Sequence, residues 1–352
     1  MYSFKNDYSE GAHPQILQAL IDTNHVQEEG YGYDSYTKKA IEILKQKMNN
    51  ADADIHLLSG GTQTNLTAIS AFLRPHEAVI APETGHIFVN EAGAIEATGH
   101  KVITVKGIEG KLRPEQIKPV LMKHADEHTV SPKMVYISNP TEIGTIYKKE
   151  ELKELRAFCD EHHLLLYIDG ARLGSALCSP ENDLTMAELC QYADSFYIGA
   201  TKAGGLLGEA IVINNDQLKD GFRINMKQKG ALLAKSRLLG IQFLELFKGH
   251  LYFDLSEHAN EMAGKLQKGI KECGYHFLAE TTTNQTFPVF PDKVIERLQE
   301  KYLFYVWERM DESHSAIRLI TSWATEEEKV DQFLNDLKMI KEQTDIQDKV
   351  LS

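Results

Sequence analysis

The chain has 352 residues, of which 42% are hydrophobic and 25% charged, a composition that excludes disordered, collagen-like and coiled-coil proteins. Its net charge of −13 argues against nucleic-acid or membrane partners, because both attract basic surfaces. The four cysteines have neither metal-knuckle nor CxxC spacings, which predicts reduced thiols, no metal site and a cytoplasmic enzyme acting on a small molecule.

Short apolar runs alternate with amphipathic stretches over the first two-thirds of the chain. Helices are predicted over about 35–49 and 150–162, where apolar residues recur at helical spacing. The predicted strands are Ile55–Leu58, Ala78–Ala81, Val102–Val105, Met134–Ser138, Leu164–Ile168, Ser195–Ile198 and Ala210–Ile213. Apolar strands separated by helices indicate an α/β fold with a mainly parallel sheet covered on both faces.

The pattern changes near residue 215, where strands become rarer and helical stretches longer. The predicted elements are helices over about 215–247 and 252–273, strands around 286–290, 302–306 and 315–320, and a closing helix over 325–343. We therefore predict a large domain, residues 1–250, whose N-terminal segment 1–30 lies at the interface. A smaller α+β domain follows, residues 251–352.

A glycine turn follows the first apolar strand and precedes a helix, in the run Ser59-Gly60-Gly61-Thr62. A strand, a glycine turn and a helix leave backbone N–H groups pointing at one spot, with the positive end of the helix dipole behind them. This arrangement predicts an anion site, with phosphate as its commonest ligand. The alternative is that Thr62 simply caps the helix.

Two further strands end in residues that carry chemistry. Asp169 follows the run LLLYI at the carboxyl end of a strand, where α/β sheets place their ligands. Lys202 follows another strand in a loop of small residues, and partial burial there would favour its nucleophilic free amine. The alternatives are an Asp169 that pairs with Arg172 or caps a helix, and a Lys202 that is merely solvated.

A phosphate site, an aspartate and a lysine are together what pyridoxal phosphate (PLP) requires. Asp169 would keep the pyridine nitrogen protonated, and Lys202 would form the Schiff base. His86, which follows the strand at Ala78–Ala81, is the candidate to stack on the ring, with a packed histidine as the alternative.

With these residues in place, the chain resembles the threonine aldolases, PLP-dependent enzymes of fold type I in the β-eliminating-lyase superfamily. The low-specificity and phenylserine-type aldolases are the most similar branch. The matching stretches are GYGYD (30–34), GGTQTN (60–65), GHIFVNEAGAIEATGHKV (85–102), NPTEIGTIYKKEELKEL (139–155), YIDGARLGSAL (167–177), ADSFYIGATKAGGLLGEAIV (193–212), KGALLAKSRLLG (229–240) and IRLITSW (317–323).

The resemblance implies a role for each matching residue. The implied cofactor residues are Lys202 as the Schiff-base lysine, Asp169 at the ring nitrogen, His86 on the ring face, and Gly61, Thr62 and Gln63 at the phosphate. Arg172 and Arg318 would bind the substrate carboxylate. Tyr31 would enter the neighbouring subunit's site, and Lys229 or Lys235 would reach a phosphate across the same interface, which implies a homo-oligomer built as a dimer of dimers.

The implied reaction is retro-aldol cleavage of a β-hydroxy-α-amino acid to glycine and an aldehyde. Two residues depart from the family pattern. Thr141 stands where the better-known branch has a histidine, which leaves the base for the β-hydroxyl proton unassigned. Asn6 stands where the family usually has a serine before the aspartate, and Asn6 would still donate to the substrate carboxylate. The alternative functions are a PLP-dependent β-elimination and a PLP-binding protein without turnover.

Overall fold

The computed structural model describes residues 1–351, with side chains in residues 1–343. The strands are β1 Tyr2–Ser3, β2 Asp54–Leu58, β3 Glu77–Pro82, β4 Lys101–Val105, β5 Ser131–Ser138, β6 Leu165–Asp169, β7 Ser195–Gly199, β8 Glu209–Ile213, β9 Gln285–Thr286, β10 Val289–Pro291, β11 Tyr302–Leu303, β12 Tyr305–Arg309 and β13 His314–Ile320.

The helices alternate with these strands in the first part of the chain and dominate the second. They are α1 Pro14–Thr23, α2 Ser35–Lys47, α3 Gly61–Phe72, α4 His86–Val89, α5 Pro114–Lys123, α6 Lys149–Glu161, α7 Leu173–Leu177, α8 Met186–Tyr192, α9 Phe222–Gln228, α10 Arg237–Phe247, α11 Leu251–Glu272, α12 Asp292–Gln299 and α13 Glu327–Leu351.

The main sheet has seven strands in the order β2-β8-β7-β6-β5-β3-β4. All of them run parallel except β8, which is antiparallel to both of its neighbours. The seven strands predicted from the apolar runs are these seven, so the mainly parallel sheet is confirmed. Because β8 is reversed, its first residue lies at the same edge as the last residues of β2, β5, β6 and β7.

Two hydrophobic cores cover the two faces of this sheet. Ile137 and Ile168 belong to one core, whereas Tyr136, Tyr167 and Tyr197 belong to the other. This division follows from the alternation of side chains along a strand. The tyrosines therefore lie on the same face as the side chain of Asp169, the last residue of β6. Their hydroxyls lie below the carboxyl edge of the sheet.

The prediction of one continuous helix over 215–247 is wrong. The structure has α9 and α10 instead, separated by a loop over 229–236. Gly221 and Gly230 adopt φ angles of +69° and +72°, and this left-handed conformation ends a helical path on either side of α9. Apolar spacing continued across both glycines and concealed the breaks.

A small antiparallel sheet, with β13 between β10 and β12 and β9 pairing with β13, follows in the C-terminal part. The strand predicted at 286–290 is divided into β9 and β10 around Pro288, which has no backbone N–H to donate. A third core packs this sheet against α11 and α13, and Phe4 belongs to it because β1 pairs with β11. The domain division near residue 250 stays a prediction. Among the described helices, none is both long and apolar enough to cross a bilayer.

Candidate active site

A cavity of about 310 Å³ opens at the carboxyl edge of the main sheet. Its lining residues are Tyr8, Ser59, Gly60, Gly61, Thr62, His86, Ser138, Pro140, Glu142, Asp169, Ala171, Arg172, Tyr197, Thr201, Lys202 and Glu209. An adjoining hollow shares Tyr8, His86, Glu142, Arg172 and Lys202, and adds Val89, Asn90, Tyr305, Val306, Trp307 and Arg318. We call the two together the cleft. Seven of the residues predicted for the site line this cleft.

Asp169 ends β6 as a buried carboxylate with donors on both oxygens. Oδ1 accepts from the Tyr197 hydroxyl (2.5 Å) and a backbone N–H, and Oδ2 accepts from the Tyr136 hydroxyl (2.7 Å) and Asn65 Nδ2 (3.1 Å). Burial alone would raise its pKa, but the nearby charge of His86 and these hydrogen bonds lower the pKa below its usual value. Asp169 is therefore a fixed negative charge in the cleft wall.

His86 begins α4 and connects to that carboxylate through a buried relay of side chains. Its Nδ1 is hydrogen-bonded to Glu91 Oε1 at 2.8 Å, and Asn65 Nδ2 donates to the same oxygen at 2.7 Å. Burial is the largest single effect on His86 and lowers its pKa, but the bond to Glu91 and the charges of Glu142 and Asp169 together outweigh it and raise the pKa. Sequence reasoning missed Asn65 and Glu91, although both lie inside the motifs GGTQTN and GHIFVNEAG.

The glycine turn opens α3 without any side-chain cap. Gly60 is the N-cap residue, so Thr62 does not cap this helix and its first N–H groups stay free for a ligand. A Cβ on Gly61 would lie 3.3 Å from the Tyr197 hydroxyl, which leaves little room for a side chain there. Gln63 does not line the cavity, because its Oε1 accepts from Ser59 Oγ at 2.6 Å.

Lys202 lies in the turn after β7, with its Nζ 6.0 Å from the centre of the Tyr8 ring. Burial and the charge of Arg172 lower its pKa. The preceding Thr201 donates its hydroxyl proton to Glu209 Oε1 at 2.9 Å. Burial raises the pKa of Glu209 well above its usual value, and its Oε2 has no hydrogen-bond partner among the described residues. Glu209, the first residue of β8, was not predicted.

Arg172 pairs with an acidic residue, although not with Asp169. Its Nε and Nη2 bind the two carboxylate oxygens of Asp7 at 2.6 and 3.1 Å, and Asn284 donates to the same carboxylate at 2.9 Å. Asn6 lies outside the cleft lining, since its side-chain oxygen accepts from the Tyr8 N–H and from a nearby serine. The N-terminal segment therefore presents Asp7 to the arginine.

Arg318 is a partly buried residue whose guanidinium projects from β13 into the cleft. It lies over the rings of Trp307 (4.8 Å) and Tyr305 (5.3 Å), and its Nε finds no hydrogen-bond partner within residues 1–343. Burial and the charge of Arg172 lower its pKa. An anion bound in the cleft would give the Arg318 Nε an acceptor and would counter the lowering of its pKa.

Tyr31 and Lys235 lie outside the cleft of their own chain. Tyr31 is 42% exposed, has a φ angle of +59° and receives the Lys227 ammonium 4.6 Å from its ring centre. Lys235 is exposed in the loop that precedes α10. Their contribution to a neighbouring subunit stays a prediction.

Comparison with known proteins agrees with this geometry. The model of the family described as "Beta-eliminating lyase" matches residues 9–292. A low specificity L-threonine aldolase from a Pseudomonas species is 31% identical over 347 residues, covering 96% of this chain and 97% of the relative. The corresponding Pseudomonas aeruginosa protein is 30% identical over the same length.

Solved structures show the same relationship. A threonine aldolase structure from Leishmania major matches with a TM-score of 0.95 and 50% identity, covering 97% of this chain and 100% of that one. Thermus thermophilus aspartate aminotransferase has a TM-score of 0.72 at 15% identity, a likeness of fold alone. The α/β fold predicted from the sequence is thus confirmed as that of fold-type I proteins.

Proposed function

Because this chain belongs to the beta-eliminating lyase family, we propose that it is a PLP-dependent aldolase. Its reaction is the cleavage of a β-hydroxy-α-amino acid, of the threonine or allo-threonine type, into glycine and an aldehyde. The observation that carries the proposal is that one cleft brings together the ionised Asp169, Lys202 and the uncapped glycine turn. The full-length similarity to proteins named threonine aldolases supports the same reaction.

The residues of the cleft fit PLP. Asp169 would face the pyridine nitrogen, Lys202 would hold the cofactor covalently and His86 would lie on the ring face. The free N–H groups at Gly61 and Thr62 would hold the phosphate, a site that offers donors and no side-chain bulk. When bound, the cofactor supplies the electron sink that a bond cleavage at Cα requires.

The protein's own task is to fix charges and geometry around the amino acid. Tyr136, Tyr197 and Asn65 hold the Asp169 carboxylate in position and ionised, so that its charge is preorganised. Arg318 would bind the substrate carboxylate, since it is the cation of the cleft whose buried Nε atom lacks a partner among the described side chains. Arg172 would assist while held by Asp7, and Gln63 would reach the phosphate after a side-chain rotation.

We also propose a dimer of dimers in which Tyr31 and Lys235 act on the neighbouring subunit. Exposed aromatic residues at Tyr31, Tyr33 and Phe88 support this assembly, because a dimer interface would cover them. A cytoplasmic location is proposed from the four cysteines, all of which are free.

Product analysis tests the proposed reaction. The purified protein with PLP should convert L-threonine or L-allo-threonine into equal amounts of glycine and acetaldehyde. A β-elimination would instead release ammonia and an oxo acid, and a PLP-binding protein without turnover would form neither set of products. The Lys202→Ala variant is the control, because it removes the proposed covalent attachment.

A further inference from the structure

Cleavage of a β-hydroxy amino acid needs a base for the hydroxyl proton, and the position expected to supply it is unsuitable here. Thr141 is buried, and its hydroxyl is hydrogen-bonded to that of Thr145 at 2.7 Å. Thr141 does not line the cleft. The next residue, Glu142, lines both parts of the cleft.

Glu142 is held at the edge of the sheet by the strand that precedes it. Ser138, the last residue of β5, donates its hydroxyl proton to Glu142 Oε1 at 2.8 Å. Ser138 is also the register partner of Asp169 on β6. The Glu142 carboxylate is therefore fixed beside the strand end that carries the principal acid of the cleft.

The other acidic side chains of the cleft are less suited to act as this base. Asp169 accepts four hydrogen bonds and Asp7 is paired with Arg172. Glu209 accepts from Thr201, and burial raises its pKa, which favours its protonated form. His86 is also a poor base, because Glu91 raises its pKa and so favours the protonated imidazolium.

Glu142 also faces the cations that would surround an amino-acid substrate. Its charge raises the pKa of His86 and of Arg172, and it acts in the same direction on Lys202 and Arg318. Glu142, Lys202 and Arg318 line the same part of the cleft, so a substrate held between Lys202 and Arg318 would lie in the space that Glu142 also lines.

We propose that Glu142 is the base that removes the proton from the substrate's β-hydroxyl group, an assignment that rests on the proposed aldolase function. The O–H bond breaks and its proton moves to a Glu142 carboxylate oxygen. The O–H electron pair becomes the second C–O bond of the aldehyde, while the Cα–Cβ pair stays on Cα. Cα then takes up one proton to complete glycine, and Glu142 releases its own to solvent.

The test separates this step from the chemistry at Cα. The Glu142→Gln holoenzyme should cleave L-threonine at least ~100-fold more slowly, the range lost with a general base. The same variant should exchange the Cα hydrogen of glycine in D₂O within about threefold of the wild-type rate, since that exchange involves no hydroxyl group. Glu83→Gln, a change at an exposed residue outside the cleft lining, should alter neither rate.

A second variant keeps the test valid if Glu142→Gln folds poorly, and a titration of the folded Glu142→Gln protein checks where Glu142 lies. Glu142→Asp, which keeps a shortened carboxylate, should show an intermediate cleavage rate with normal glycine exchange. In the cofactor-free protein, NMR titration should show a lower pKa for His86 in Glu142→Gln than in the wild type.

Three results would overturn the assignment. These are near-wild-type cleavage by Glu142→Gln, equal losses of cleavage and glycine exchange, and an unchanged His86 pKa. A wild-type enzyme that exchanges glycine but cleaves no β-hydroxy amino acid would refute the proposed function itself.

Discussion

We predict that Arg318 strengthens substrate binding and that its charge lowers the stability of the substrate-free protein. Its partly buried guanidinium lies over the rings of Trp307 and Tyr305, and its Nε has no partner in the described part of the chain. A hydrogen bond to a charged group contributes about 1.5–3 kcal/mol. At about 1.4 kcal/mol per tenfold change, Arg318→Ala should raise KM roughly 10- to 150-fold while PLP stays bound.

Steady-state kinetics and thermal melting of the cofactor-free protein measure the two effects separately. Arg318→Met keeps much of the packing but removes the buried charge, so its Tm should equal or exceed that of the wild type. The matched control is Arg309→Ala on the neighbouring strand, where an exposed arginine pairs with Asp292 at 3.3 Å and KM should not change. An unchanged KM in Arg318→Ala, or a Tm lowered by several degrees in Arg318→Met, would show that Arg318 is structural.

Three further predictions concern charge and assembly. Asp169→Asn should keep part of its PLP but lose kcat about 100-fold, because an amide supplies no fixed negative charge, and turnover at the wild-type rate would contradict this. Burial raises the pKa of Glu209 from 4.5 to about 8. Folding therefore favours its protonated form, so the Tm of cofactor-free Glu209→Gln relative to wild type should increase as the pH rises from 5 to 8; a constant difference would refute this. Mixing inactive Tyr31→Ala and Lys202→Ala subunits should restore activity if Tyr31 acts across an interface, and mixtures that stay inactive would argue against a shared site.

Strand positions and strand-end residues were accessible from the sequence because they depend on local patterns. Apolar runs bounded by polar residues located all seven strands of the main sheet, and placed Asp169 at the end of one of them. The sequence did not provide the order of the strands. Tyr136 and Tyr197 contact Asp169 only because β5 and β7 flank β6, so as isolated residues they resembled ordinary core tyrosines.

Ion pairs between residues far apart in the chain could not be predicted from the sequence either. Asp7 and Arg172 are 165 positions apart, and only the fold brings the N-terminal segment onto the cleft. The sequence predicted Asn6 as a donor to the substrate carboxylate, but it gave no signal of the ion pair that the neighbouring Asp7 forms. Glu142 lies inside a matching motif, but only the fold places it in the cleft beside Ser138, while the hydroxyl of the adjacent Thr141 is hydrogen-bonded to Thr145.

The most direct test of the account is to locate the cofactor on the chain. Reduction of the PLP-loaded protein with borohydride fixes the cofactor to its lysine, and peptide mass spectrometry then identifies that residue. The account predicts one PLP per subunit on Lys202, with aldolase activity lost in proportion to labelling. PLP fixed on any other lysine, or full activity after Lys202 is labelled, would contradict it.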